Sequence, residues 1–140
     1  MILKPESRRT NIRLALEYLT NVMKRRCTAF ILSDFIDQDS FKNALTIANR
    51  KHDVVALQVY DRRVSDFPPV GLMRIKDAET GHEQWIDTSS KAVRRAHRDW
   101  WINKQTELND TFTKSNVDSV SVRTDQDYVK ALLNLFAKRN

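Results

Sequence analysis

The chain has 140 residues, 41% of them hydrophobic and 30% charged, and its 24 Lys and Arg against 18 Asp and Glu give a net charge of +6. That is the length of one domain and too apolar for an intrinsically disordered chain, while no apolar run approaches the roughly 18 residues of a membrane span. Two glycines, Gly71 and Gly81, are too few for a dinucleotide-binding fingerprint, and neither precedes the Lys-Ser/Thr of a phosphate-binding loop.

The single cysteine, Cys27, excludes an internal disulfide and a cysteine-based zinc site, and fits a reducing cytoplasm. Met1-Ile-Leu-Lys-Pro-Glu runs straight into charge, so no signal peptide is expected.

In chain order, Ile12, Ala15, Leu16, Leu19 and Met23 recur at helical spacing, with Thr10 as the expected N-cap. Lys24-Arg25-Arg26 closes this pattern, where cations complement a helix dipole. Cys27 to Phe35 is a short, nearly continuous apolar run, expected as a strand covered on both faces. Asp39-Ser40 can cap a second helix with Phe41, Ala44, Leu45 and Ala48 inward, and Val54 to Tyr60 reads as a second buried strand. A helix between two such strands implies a right-handed crossover and a parallel sheet.

The rhythm then breaks. Asp66-Phe-Pro-Pro-Val-Gly71 is a loop, and Leu72 to Ile75 and Glu83 to Ile86 flank Asp77-Ala-Glu-Thr-Gly81, a hairpin pattern with Gly81 supplying positive φ. Ser89 or Ser90 begins a long helix carrying Val93, Ala96, Trp100, Leu108 and Phe112, and because adjacent helical positions diverge, one of Trp100 and Trp101 is expected in the core and the other partly exposed. Asp118 to Thr124 alternates like a strand with one wetter face. The last helix has Thr124 and Asp127 as an approximate capping box and Tyr128, Leu132, Leu135 and Phe136 inward. Residues 1–140 therefore read as a single α/β layered domain.

Ligands of open parallel sheets bind beyond the carboxyl ends of the strands, which selects Ser33, Asp34, Asp37 and Asp39 after the first strand and Asp61 after the second. Clustered carboxylates suit Mg²⁺, but helix capping by Asp39 and solvation of Asp37 are the preferred explanation of those two acids. No histidine has an i, i+4 partner, Ser33 lacks the glycines of a nucleophile elbow, and no hydrolase constellation converges. An enzyme is not expected; a metal-dependent hydrolase using Asp34 and Asp37 has the least support. The pI near 9.7 raises a second possibility, a nucleic-acid-binding domain using Arg94, Arg95, Arg98 and Trp101.

Several phrases together resemble one bacterial family. Arg9-Thr-Asn-Ile, Phe30-Ile-Leu-Ser-Asp-Phe-Ile-Asp37, Lys51-His-Asp-Val-Val-Ala56, Phe67-Pro-Pro-Val-Gly71, Asp77-Ala-Glu-Thr-Gly81, Ile86-Asp-Thr-Ser-Ser90 and the final Asp127-Tyr-Val-Lys-Ala-Leu-Leu-Asn-Leu-Phe136 look like the carboxyl half of proteins of the family of domain of unknown function 58. The resemblance implies a partial von Willebrand factor type A-like fold. Its three layers would be a mostly parallel sheet with helices on both faces, with a β-hairpin inserted at about residues 66–88.

By position, Thr10 matches a metal-site threonine of that fold and Asp34 a later aspartate, whereas the primary Asp-x-Ser-x-Ser loop has no counterpart in the residues before Thr10. The resemblance thus implies a chain that starts inside the domain and an incomplete metal site. No resident cofactor is expected, with Mg²⁺ reserved for a longer parent.

It further implies a non-enzymatic, cytoplasmic protein-interaction module that assists a MoxR-class AAA+ ATPase in assembly or maturation of other proteins, with Ser33, Asp34 and Asp37 facing the partner. Missing its neighbouring strand, Thr28 to Ser33 is expected to form an open edge and to drive a homo-oligomer.

Overall fold

A computed structural model of the chain describes residues 11–36, 40–76 and 81–139. In order these form α1 (Ile12–Val22), β1 (Thr28–Ser33), α2 (Lys42–Lys51), β2 (Asp53–Tyr60), α3 (Arg62–Ser65), β3 (Leu72–Lys76), β4 (Glu83–Asp87), α4 (Lys91–Lys114), β5 (Asp118–Arg123) and α5 (Tyr128–Arg139). β1, β2 and β5 make a parallel three-stranded sheet in the order β1-β2-β5, with Phe30 beside Val55 and Leu57 beside Val120. β3 and β4 pair antiparallel as a separate two-stranded sheet.

Helices cover both faces of the parallel sheet because β2 is apolar on both. Val54 and Ala56 point into a cluster with Ile12 and Leu16 of α1, Ala44, Leu45 and Ala48 of α2, and Leu108 and Phe112 of α4. Val55 and Leu57 point the other way, onto Leu132 and Leu135 of α5. One face thus carries three helices and the other carries one.

That asymmetry overturns the expectation that β1 is covered on both faces. Ala29, Ile31 and Ser33 face the three-helix side and are half-buried, whereas Phe30 and Leu32 lie on the α5 side and are 45% and 66% exposed. The one helix on that side packs Leu132 and Leu135 on β2 and β5 and meets β1 only where Phe136 lies edge-on to Phe30, which leaves both β1 side chains partly open.

Several helix ends also differ from the sequence reading. The N-cap of α1 is Asn11, whose side chain accepts from Leu14 N–H at 3.0 Å; Thr10 lies outside the described residues. Lys24-Arg25-Arg26 follows the end of α1 instead of closing it, because Met23 already has extended backbone. Phe41 occupies the N-cap of α2 with no side-chain hydrogen bond, so Ser40 is not a cap, and Asp39 lies outside the described residues. At α5 the side chain of Asp127 accepts from Val129 N–H, while Thr124 gives its own N–H to the Tyr60 carbonyl. Thr124 therefore continues the sheet, and no capping box forms.

The structure chooses between the two tryptophans of α4 and corrects two residues expected inward on α5. On α4 it is Trp101, at 8% exposure, that is buried, with Trp100 at 39%. Adjacent helical positions diverge by about 100°, so only one of the two can face the core. Tyr128 and Phe136 are exposed on α5, and Leu135 alone is fully buried there.

Candidate functional site

The carboxyl end of β1 leads into a tight turn. Ser33 Oγ accepts from Phe35 N–H and Asp34 Oδ1 accepts from Ile36 N–H, each at 3.0 Å. Between these two bonds Phe35 adopts φ 57°, a left-handed conformation that costs a bulky residue energy. Burial holds it there: its ring packs edge-on to Phe112 at 5.2 Å and lies 6.0 Å from Phe41. Asp34 itself is exposed at the strand end.

Beneath that turn sits Gln58, a polar residue in an otherwise apolar strand and only 3% exposed. Its side-chain amide donates to the Asp34 carbonyl at 3.2 Å and to Gln105 Oε1 at 2.9 Å. Its oxygen accepts from Gln105 Nε2 at 3.0 Å and from the Ser121 hydroxyl at 2.7 Å. One side chain thereby ties β1, β2, β5 and α4 together at the carboxyl end of the sheet. The polar interruption in Val-Val-Ala-Leu-Gln-Val was the sequence signal for it, since a buried amide needs partners for all its polar atoms.

The other wall comes from the segment between β2 and α4. His97 of α4 stacks on Phe67 with ring centroids 3.7 Å apart and 13° between planes, and its Nε2 meets the Val64 carbonyl of α3. Thr88, fully buried, accepts from Val70 N–H and donates its hydroxyl to the Gly71 carbonyl at 2.7 Å, while Arg94 Nη1 donates to the Thr88 carbonyl at 2.7 Å. Gly71, at φ 93°, is the residue that lets the chain turn into β3 at this latch.

Between these walls lies an open groove of about 1020 Å³. Asp34, Phe35, Ile36 and Gln58 line it from the sheet; Met73, Ile75 and Gln84 from β3 and β4; and His97, Trp100, Trp101 and Leu108 from α4. Lys42, Arg63, Arg74, Lys104 and Glu107 add charges of both signs.

Of the residues singled out in the sequence, the structure places Ser33 and Asp34 at this groove end of β1, with Ser33 Oγ committed to the turn. Asp37 and Thr10 lie outside the described residues. Asp61 caps α3, accepting from Arg63 N–H at 2.8 Å. Among the described residues no three His, Cys, Asp or Glu side chains converge as a metal site, and Asp34 already spends one oxygen on its turn. The described donor set therefore falls short of the near-octahedral oxygen shell that Mg²⁺ demands.

Arg98 is exposed and pairs with Asp66 at 3.1 Å, Arg94 is half-buried and donates to the Thr88 carbonyl, and Trp101 is buried against Tyr60, so Arg95 and Arg98 are the exposed members of that group.

A Cys–His contact elsewhere was not anticipated. His52, fully buried at the end of α2, accepts at Nδ1 from Cys27 N–H at 3.1 Å, with the thiol sulfur 3.4 Å away. It ties the entry of β1 to that of β2.

Comparison with known proteins agrees with the resemblance at the family level. The chain is 27% identical over 142 residues to the uncharacterized protein MAV169 of Mycobacterium avium, covering 96% of this chain and 79% of that protein. It is 28% identical over 141 residues to the uncharacterized proteins Mb1516 of Mycobacterium bovis and Rv1480 of Mycobacterium tuberculosis, covering 96% of this chain but only 42% of theirs. No solved structure matches it. No helix among the described residues is long and apolar enough to cross a membrane. The family described as "Protein of unknown function DUF58" matches residues 1–107, and the chain belongs to that family.

Proposed function

We propose that the chain is a non-enzymatic protein-interaction module whose recognition surface is the groove at the carboxyl ends of β1 and β2. The observation that carries this reading is the groove itself, about 1020 Å³ and open, with an aromatic and aliphatic lining and charges of both signs. Such a surface suits an extended or helical segment of another protein, since apolar anchors supply affinity and peripheral charges supply orientation. Asp34 is the exposed carboxylate on its rim.

The finer reading rests on the family resemblance. The parallel order β1-β2-β5, with an aspartate leaving β1, suits part of a von Willebrand factor type A-like domain. The partner would be a MoxR-class AAA+ ATPase acting in the cytoplasm on the assembly or maturation of other proteins. The activity of the longer relatives belongs to the same proposal.

A photo-crosslinking amino acid placed at Gln84 or Lys104 tests it. With a purified MoxR-class ATPase from the same genome, a crosslinked product should form and should weaken when Asp34 is replaced by alanine. Absence of any product from both positions, with the chain folded, refutes the reading.

A further inference from the structure

We infer that the end of the domain where the parallel strands begin is a docking face for an anionic lipid bilayer. Parallel strands all start at one end of a sheet, and the crossover helices return to that end to feed them. The contacts gather these pieces into one surface. Asp53 N–H donates to the Cys27 carbonyl, joining the entries of β1 and β2, and Lys51 of α2 donates to the Thr20 carbonyl in the last turn of α1. Asn49 of α2 donates to the carbonyls of Ser115 and Asn116, between α4 and β5, and Arg139 of α5 meets Asp53 and Asp118.

That surface is cationic. Lys24, Arg25 and Arg26 before β1, Arg50 of α2, Lys114 of α4 and Lys138 of α5 are all exposed, and none of their side chains has an ion pair or hydrogen bond among the described residues. The acids at the strand entries, Asp53 and Asp118, are both engaged by Arg139, and Asp110 lies a turn back along α4. Cations at helix ends complement the dipole, which accounts for Arg50, Lys114 and Lys138. It does not account for Lys24-Arg25-Arg26, which follow the extended Met23 after α1 has ended. Unpaired cations held on one face repel one another, and an anionic surface relieves that repulsion.

What accompanies the charge decides the occupant. Val22 and Met23 lead directly into the cationic run and are 48% and 43% exposed. Val-Met-Lys-Arg-Arg thus sets apolar side chains for the acyl boundary beside cations for the headgroups. Nucleic acid is held instead through helix N-termini, backbone N–H donors and stacked rings. This end presents the carbonyl ends of helices, and neither Val22 nor Met23 is aromatic. The groove lies at the opposite, carboxyl end of the strands, so a bilayer on this face leaves the groove pointing away from it.

The test is co-sedimentation of the full chain with vesicles of phosphatidylcholine and phosphatidylserine in equal parts, with vesicles of phosphatidylcholine alone and a single-stranded oligonucleotide as comparison probes. The chain should bind the mixed vesicles, more weakly as salt rises, and leave the neutral ones free. Each cation near an anionic surface contributes about fivefold in affinity, so replacing Lys24, Arg25 and Arg26 together with alanine should weaken binding about a hundredfold. Lys91→Ala with Arg95→Ala removes exposed cations ~30 Å along α4 from Lys114 and should leave affinity within about twofold. Met23→Ser should weaken binding without changing its salt dependence, because it removes apolar contact and no charge.

Every residue replaced is exposed, and circular dichroism reports whether each variant is folded. A chain that binds neither kind of vesicle overturns the inference. So does an equal loss from both sets of alanine replacements, which would mean that net charge alone acts. Tighter binding to the oligonucleotide than to the mixed vesicles, lost with Lys24, Arg25 and Arg26, overturns it in favour of nucleic acid. None of these outcomes depends on whether the groove binds an ATPase.

Discussion

Gln58 of β2 and Gln105 of α4 face each other with their amides antiparallel, each donating to the other at 2.9 and 3.0 Å. This pair fixes the long helix against the carboxyl end of the sheet, and through the Asp34 carbonyl it also fixes the turn that forms the groove rim. Replacing Gln105 with alanine removes one of two partners from each polar atom of Gln58, leaving the Asp34 carbonyl and the Ser121 hydroxyl, and should cost about 1 kcal/mol in urea unfolding. Gln58→Ala should cost more than Gln105→Ala, because it also strands Ser121 and the Asp34 carbonyl. Equal losses would mean that the network does not centre on Gln58.

Arg139, at the end of α5, forks onto Asp53 at the start of β2 and Asp118 at the start of β5. Hydrogen bonding to Asp53 above all raises its pKa, so it is fully charged at any pH the fold meets. Arg139→Ala should reduce stability by up to about 1 kcal/mol, the usual range for an ion pair that water still reaches. The loss should shrink in high salt. Arg139→Lys should recover only part of it, since an ammonium cannot serve both carboxylates as a planar fork does.

The Asp87 carboxyl is held below its ordinary pKa, chiefly by the Ser89 hydroxyl at 2.6 Å and then by the Ser89 N–H at 3.0 Å. A depressed carboxyl pKa adds stability that is present above the unfolded value and is lost as pH falls through the folded one. NMR titration should therefore find Asp87 ionised to lower pH than a free aspartate. Ser89→Ala should move that midpoint upward, part of the way only, because the backbone donor remains.

Calorimetry should detect no micromolar binding of Mg²⁺ or Mn²⁺ by this chain alone. A dedicated site needs several oxygen ligands in near-octahedral array, and among the described residues the candidate acids after β1 and β2, Asp34 and Asp61, each already accept a backbone N–H with one carboxylate oxygen. Micromolar binding abolished by Asp34→Ala would establish a complete metal site at this position.

Local patterning determined the elements of this protein. The unbroken apolar run of β2, with its one glutamine, and the helical spacing of Phe41, Ala44, Leu45 and Ala48 hold in the structure as they read in the chain. They do so because a strand apolar on both faces, or a helix with one apolar stripe, gains most when those faces are covered.

What the sequence could not give depends on residues far apart in the chain. Phe30 and Leu32 are as apolar as Val55 and Leu57, yet they are exposed, because α5 buries its Leu135 against β2 and meets β1 only through the edge-on contact of Phe136 with Phe30. Trp100 and Trp101 are identical in type, and only the contact of Trp101 with Tyr60 decides which is buried. The groove likewise has no local signature. Asp34 and His97 are 63 positions apart in the chain, and only the packing of α4 against the sheet end brings them to the walls of one groove. A hydrophobicity pattern records which residues seek cover; which helix supplies it, and where it runs out, is decided by tertiary packing alone.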